Sequence, residues 1–141
     1  MNQTEYANNI FEQPWWLDIV APQKWKEIII YDKKEQVIAR QAVVVDKKNV
    51  YMPRLTQTLG IWMSEEMTKN YGEQKKIING ILCDLASYKN VMIHLDPENK
   101  YILPYRWNGY IMEPRFSYRI NDLSDLESLY AGFNKTAKKN I

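Results

Sequence analysis

One cysteine and one histidine in 141 residues are too few for the common zinc sets, which need three or four such ligands. The single Cys83 also excludes an intramolecular disulfide and suits a reducing compartment. It falls in an apolar helical pattern, so a buried, inert thiol is expected. Glycine is scarce as well. The five glycines stand at 60, 72, 80, 109 and 132, no two within four residues. A G-x-G-x-x-G or Walker loop therefore has nowhere to form. No apolar run approaches the roughly 18 residues that a membrane span needs. The opening "MNQTEYANNIFEQ" is polar and lacks the basic-then-apolar order of a secretory leader. These absences predict a soluble, cytoplasmic protein with no metal site. A net charge of +2 is too small to imply a nucleic-acid partner by itself.

No catalytic set is self-contained either. A Ser-His-Asp triad would have to recruit His94, which the pattern places mid-strand, where a satisfied structural histidine is expected. Asp96 and Glu98 follow that strand and could form a carboxylate pair, but acids at such boundaries more often cap turns.

What is present suffices for a core. A chain of this length is one domain, residues 1–141, and buries roughly 70% of its unfolded surface. "QPWWLDIVAP" reads as a short helix started by Pro14 and stopped by Pro22, with Trp15, Trp16, Ile19 and Val20 as its apolar face. The runs 25–31, 37–45 and 50–55 read as three strands. They are joined by the turns "DKKEQ" and "DKKN", short enough to force antiparallel hairpins. Pro53 cannot donate to a ladder, so the third strand lies at an edge or ends there.

Residues 64–88 hold the strongest helical pattern, with Ile77, Ile78, Ile81, Leu82 and Leu85 as a core-facing stripe. Ser64 is its plausible start, and Gly72 a point where it divides in two. "NVMIHLDP" then reads as a buried strand, "PENKYILPYRWNGY" as mostly loop, and "RFSYRI" as an alternating strand. In the closing "SDLESLYAGFNKTAKKNI", Ser124 and Glu127 fit a capping box, and Leu126, Leu129, Tyr130 and Phe133 make an apolar stripe. The order α, three antiparallel strands, α, β, loop, β, α predicts an α+β fold: a mixed, largely antiparallel sheet flanked by helices.

Two loops concentrate polar groups beside flat aromatics, which a polar ligand with apolar faces requires. The first carries Arg54, Thr56, Gln57, Thr58, Gly60 and Trp62; the second carries Tyr105, Arg106, Trp107, Asn108 and Gly109. The bland alternative is that the tryptophans close the core and the polar side chains serve turns. Two such loops in one domain favour a shared cleft for a sugar, a peptide stem or a nucleotide. Lys135, Lys138 and Lys139 form a basic end that is either a solvated helix terminus or a phosphate contact.

The segments "FEQPWWLDIVAP", "MPRLTQTLGIW", "YRWNGY", "FSYRIND" and "NKTAKKNI" together resemble the first half of bacterial GNAT-superfamily proteins of the Fem type. These are tandem-domain acyl- and aminoacyltransferases that include the peptidoglycan bridge enzymes. The likeness runs from about residue 10 to the end and is nearer to acetyltransferase-like members than to the glycyltransferases. It implies a GNAT-like half whose cleft takes an amine acceptor, lined by the Thr-Gln-Thr loop, Trp62, Trp107 and Asn108. No cofactor would be bound by this half; acyl-CoA or aminoacyl-tRNA would be the donor, held by a missing C-terminal half. The fragment alone would then be inactive and could pair with itself. Nucleic acid would be a partner only if the donor is tRNA. Ile61 stands where a proline often follows the loop glycine, and Lys138 and Lys139 where arginine is common, which weakens bidentate phosphate binding. Other readings are a saccharide- or peptide-binding module and a structural or dimerisation domain.

Overall fold

The computed structural model describes residues 3–116 and 120–140. A 3-10 turn (Ile10–Glu12) and α1 (Pro14–Val20) precede the hairpin strands β1 (Trp25–Tyr31), β2 (Val37–Asp46) and β3 (Asn49–Tyr51). Then come β4 (Ile61–Met63), α2 (Glu65–Thr68), α3 (Tyr71–Leu85), β5 (Asn90–Val91) and α4 (Leu103–Trp107), with α5 (Leu126–Gly132) and α6 (Lys135–Lys139) last. The fold is α+β: a mixed, mostly antiparallel sheet flanked by helices.

β2 is the spine of the sheet. β1 pairs along nearly all of one edge. The other edge is shared: β3 takes residues 44–46 and β4 takes residues 39–41, both antiparallel. Residues 52–60 leave that edge and return to it. β5 then adds in parallel to β3. β2 is buried from Ala39 to Val44 because both of its faces are covered. Ala39 and Val43 meet the α3 stripe on one face, with Tyr105 of α4. Ala42 and Val44 meet Leu17 and Ala21 of the α1 segment on the other. All five stripe residues of α3 are buried, each adding about 2 kcal/mol of gross burial energy.

Several elements depart from the sequence pattern. α1 buries Leu17, while Ile19 is 69% exposed, so the apolar face lies a step away from the expected one. The predicted strand 50–55 stops at Tyr51, before Pro53. The expected strand 90–97 is reduced to Asn90–Val91, since Met92 is exposed and the following backbone turns to bond Leu59. The 64–88 helix does divide, but at Lys69 and Asn70. Asn70 caps α3 by accepting from the N–H groups of Gly72 and Glu73, whereas Ser64 makes no side-chain cap bond. The 97–110 loop contains α4, in whose first turn Pro104 costs nothing. Cys83 is exposed, not buried: it lies on the α3 face opposite the stripe.

At the C-terminal end the cap is Asp125, which accepts from the N–H of Ser128, so Ser124 and Glu127 form no box. Asn134 starts α6 separately. The stripe residues Leu126 and Tyr130 are exposed. Of the expected strand 115–120, residues 117–119 lie outside the described residues; 115, 116 and 120 are in no strand, and Phe116 is 93% exposed. Among the described residues no helix is long and apolar enough to cross a membrane.

Candidate functional site

The Thr-Gln-Thr loop is held by hydrogen bonds to the N-terminal segment. Thr56 is only 8% exposed, and its hydroxyl accepts from Trp16 Nε1 at 3.0 Å and donates to the Arg54 carbonyl at 3.3 Å. Thr58 accepts from Asn9 Nδ2 at 3.0 Å. Gln57 is exposed, and its carbonyl lies 3.3 Å from His94 Nδ1. The Leu59 N–H donates to the His94 carbonyl at 2.8 Å. His94 is thus tied to this loop, and no strand ladder holds it.

Gly60 sits where two chain segments nearly touch. A Cβ there would stand 2.6 Å from Asp96 Cβ and 2.8 Å from its nitrogen, closer than side chains tolerate. Its N–H donates to Glu12 Oε1 at 3.0 Å. Next to it, the Asn99 amide clasps Ile61 as a strand would, accepting from its N–H at 2.9 Å and donating to its carbonyl at 2.7 Å. Glu12 is buried and also accepts from the Asn8 N–H at 2.7 Å. Burial pushes its carboxyl above the usual range, and the hydrogen bonds from Asn8 and Gly60 offset part of that. Asp96 belongs to the same network, accepting from Asn9 Nδ2 and capping its own turn at the Glu98 N–H. It bonds Asn9 of the N-terminal segment, and Glu98 pairs at 3.6 Å with Lys100, so the two carboxylates do different work. Arg40 crosses beneath, donating to the carbonyls of Tyr6 and Glu12 at 3.1 and 2.9 Å and to Glu27 Oε1 at 2.9 Å.

A cavity of about 270 Å³ opens beside this clasp. Ile61 and Met63 of β4 and Ile78 of α3 form its apolar wall, facing the rings of Tyr71, Tyr101 and Tyr105. Asn8, Gln74, Glu98 and Lys100 supply polar groups. A second hollow continues it across Tyr71 and Tyr101 toward Leu103. The rings form a row: Tyr71 lies 5.0 Å from Tyr101, which meets Trp107 edge-on at 6.4 Å. Lys75 Nζ sits 4.9 Å over the Trp107 ring. Tyr105 is 6% exposed, and its hydroxyl has no partner among the described residues. Burial, with a smaller contribution from neighbouring Tyr110, raises that phenol well above its ordinary value.

None of Arg54, Thr56, Gln57, Thr58, Gly60, Trp62, Trp107 and Asn108 lines this cavity. Ile61, between Gly60 and Trp62, and Tyr105, the first residue of the second loop, do, so the two loops meet at one cavity through these two side chains. Trp62 packs on Tyr6 at 5.0 Å. Asn108 bonds Asn79 Oδ1 at 2.9 Å and the Pro104 carbonyl at 2.8 Å. Trp107, 58% exposed, stands at the outer end of the ring row. Arg54 is exposed. Lys138 donates to the Ala131 carbonyl at 2.9 Å and covers the Tyr130 ring, while Lys135 and Lys139 are exposed. Tyr71 and Tyr101 were not legible as site residues: one lies in a helical run and the other between prolines. Among the described residues no group of three His, Cys, Asp or Glu is placed to hold a metal ion.

No family model matches this chain, and no curated protein matches it. Among solved structures it is similar to a mutant form of the BH1408 protein from Bacillus halodurans. The identity is 12% over 77% of this chain and 72% of that one, with a TM-score of 0.41. At that score the likeness bears on neither fold nor function.

Proposed function

We propose that the chain is the acceptor-binding half of an acyltransferase with the tandem GNAT organisation. In this reading the groove between Tyr71, Tyr101 and Tyr105 receives an amine-bearing acceptor. The groove itself carries the proposal: an apolar, ring-lined cleft with a few polar groups suits an acceptor with flat faces. The sequence resemblance supplies the reaction class. The acceptor nitrogen attacks the thioester of acyl-CoA, or the ester of an aminoacyl-tRNA. The C–S or C–O bond breaks, the nitrogen loses a proton, and the departing sulfur or oxygen gains one. This half contributes positioning; the donor site belongs to the second half. Trp107 stands at the outer end of the ring row, where an acceptor could extend, and Lys135 and Lys139 are exposed and open to a donor phosphate.

A second reading is a binding module for a saccharide or peptide without transfer. The exposed ring row favours it, since such rows stack on sugar faces. One experiment separates the two. The product of the gene read beyond codon 141 is incubated with acyl-CoA and amine acceptors, and free thiol is measured. With acyl-CoA as the donor, the transferase reading expects acceptor-dependent thiol release that Tyr101→Ala lowers at least about tenfold, a loss of about 1.4 kcal/mol in transition-state binding. Turnover of an acyl donor by residues 1–141 alone, or a gene with no second half, overturns it.

A further inference from the structure

β1 is an open edge. It ends the sheet on one side and pairs only with β2. Just before it the Lys24 carbonyl accepts from the Val45 N–H at 2.6 Å, and just after it the Asp32 N–H donates to the Gln36 carbonyl at 2.9 Å. Even-numbered residues therefore turn their backbone groups toward β2. Trp25, Glu27, Ile29 and Tyr31 turn theirs outward, and among the described residues no backbone group pairs with them there. The other side of the sheet offers no comparable edge: β5 is Asn90–Val91 alone, and the Asn99 amide covers β4 at Ile61. We propose that this edge is a dimer interface, in which β1 pairs antiparallel with β1 of a second copy of the chain and the two sheets become one. Nothing in this pairing depends on what the groove binds.

Edges that stay free are blunted by short length, proline, a bulge or rim charges. β1 has 7 residues and no proline. The bulge near Ile30 puts its extra residue, Ile38, on β2 and leaves β1 regular. Its two charges are folded back on their own subunit: Lys26 Nζ lies 5.0 Å over the Tyr88 ring, and Glu27 bonds Arg40 at 2.9 Å. The edge is also complementary to itself, which selects a second copy over an arbitrary strand. A two-fold axis at Ile28 sets Ile28 opposite Ile28, Glu27 opposite Ile29, Trp25 opposite Tyr31 and Lys24 opposite Asp32. Each odd-numbered residue from Trp25 to Tyr31 then exchanges both backbone bonds with the residue it faces. Each end of the ladder gains an aromatic pair and an opposite-charge pair, which are favourable across antiparallel strands. Tyr31, 55% exposed in the single chain, is covered in the process. An axis at Glu27 would oppose two glutamates, and one at Ile29 would set Lys24 against Lys34. With one long edge per chain, two copies close the assembly and no filament grows.

Sedimentation equilibrium of the 141-residue chain from micromolar to millimolar concentration is expected to show a reversible monomer–dimer equilibrium. Amide hydrogen exchange followed by NMR identifies the strand. The amides of Lys26, Ile28 and Ile30 should be protected by β2 at every concentration, while those of Trp25, Glu27, Ile29 and Tyr31 slow at least about tenfold as the dimer forms. In a mixture of labelled and unlabelled chains, an Hα–Hα contact between the two Ile28 residues marks the antiparallel register. Ile29→Pro removes an outward N–H without touching the β1–β2 ladder and is expected to stay monomeric. Tyr31→Lys, at an exposed position, is expected to weaken the dimer about tenfold and carries the test if Ile29→Pro does not fold. The proposal is overturned if the chain stays monomeric throughout, or if a dimer forms while the odd-numbered amides exchange freely. It is equally overturned if the Ile28 contact is missing from the dimer, or if either folded variant dimerises as the wild type does.

Discussion

Replacing Gly60 with alanine tests the packing that forms one wall of the groove. The added Cβ meets Asp96 Cβ at 2.6 Å and its main-chain nitrogen at 2.8 Å, and lies closer still to Asn99 Oδ1. Asn99 can withdraw only by releasing both bonds to Ile61, and the Asp96 backbone only by shifting the 94–99 segment that holds Leu59. Overpacking costs about 1–3 kcal/mol and each of the two lost bonds about 1 kcal/mol, so a loss of at least about 3 kcal/mol is expected. At an unfolding entropy of about 2.1 cal/mol/K per residue, 141 residues convert that to a fall of about 10 °C in Tm. Gly80→Ala is the control. Its Cβ would meet only Ile30 Cδ1, at an ordinary 3.8 Å, in the middle of α3. It should stabilise by about 0.5–1 kcal/mol. Urea and thermal melts followed by circular dichroism read both. Should Gly60→Ala melt within a degree or two of the wild type, the close approach at Asp96 is not as described.

Glu12→Gln should flatten the pH dependence of stability. The folded carboxyl titrates above its ordinary value of 4.5, so the folded state binds the proton more tightly than the unfolded one. Stability from this group is fully present below the unfolded pKa and is lost as pH rises through the folded pKa; urea melts across that window should show the slope in the wild type and not in the variant. Trp16→Phe and Thr56→Val each remove one end of the 3.0 Å bond. A double-mutant cycle should give a coupling of about 1 kcal/mol, and additive losses would count against the bond. Arg40→Ala orphans the carbonyls of Tyr6 and Glu12 and should cost about 3 kcal/mol, with faster protease cleavage within residues 3–13. Cys83→Ser should leave stability within about 0.5 kcal/mol, and the native thiol should react with Ellman's reagent at the rate of an accessible cysteine.

The sequence by itself determined the elements whose burial is one-sided or whose turns are short. The β1–β2–β3 meander and the α3 stripe follow from period and turn chemistry: Asp32 Oδ1 accepts from the N–H groups of Lys34 and Gln36 as its place in the turn implied. The α+β class follows from those elements and their order. Tertiary structure decided the rest, where side chains from distant segments replaced local rules. Residues 92–95 look like a strand because three of the four are apolar, yet after the Met92 N–H bonds the Val50 carbonyl they leave β3, and the His94 carbonyl accepts from the Leu59 N–H instead. Thr56 and Thr58 look like ligand groups because they are polar on a loop, yet Trp16 and Asn9 take their hydroxyls. The groove needs Ile61, Tyr71, Tyr101 and Tyr105 from four places in the chain, and no local pattern marks residues that become neighbours only when the sheet, α3 and α4 close on one another.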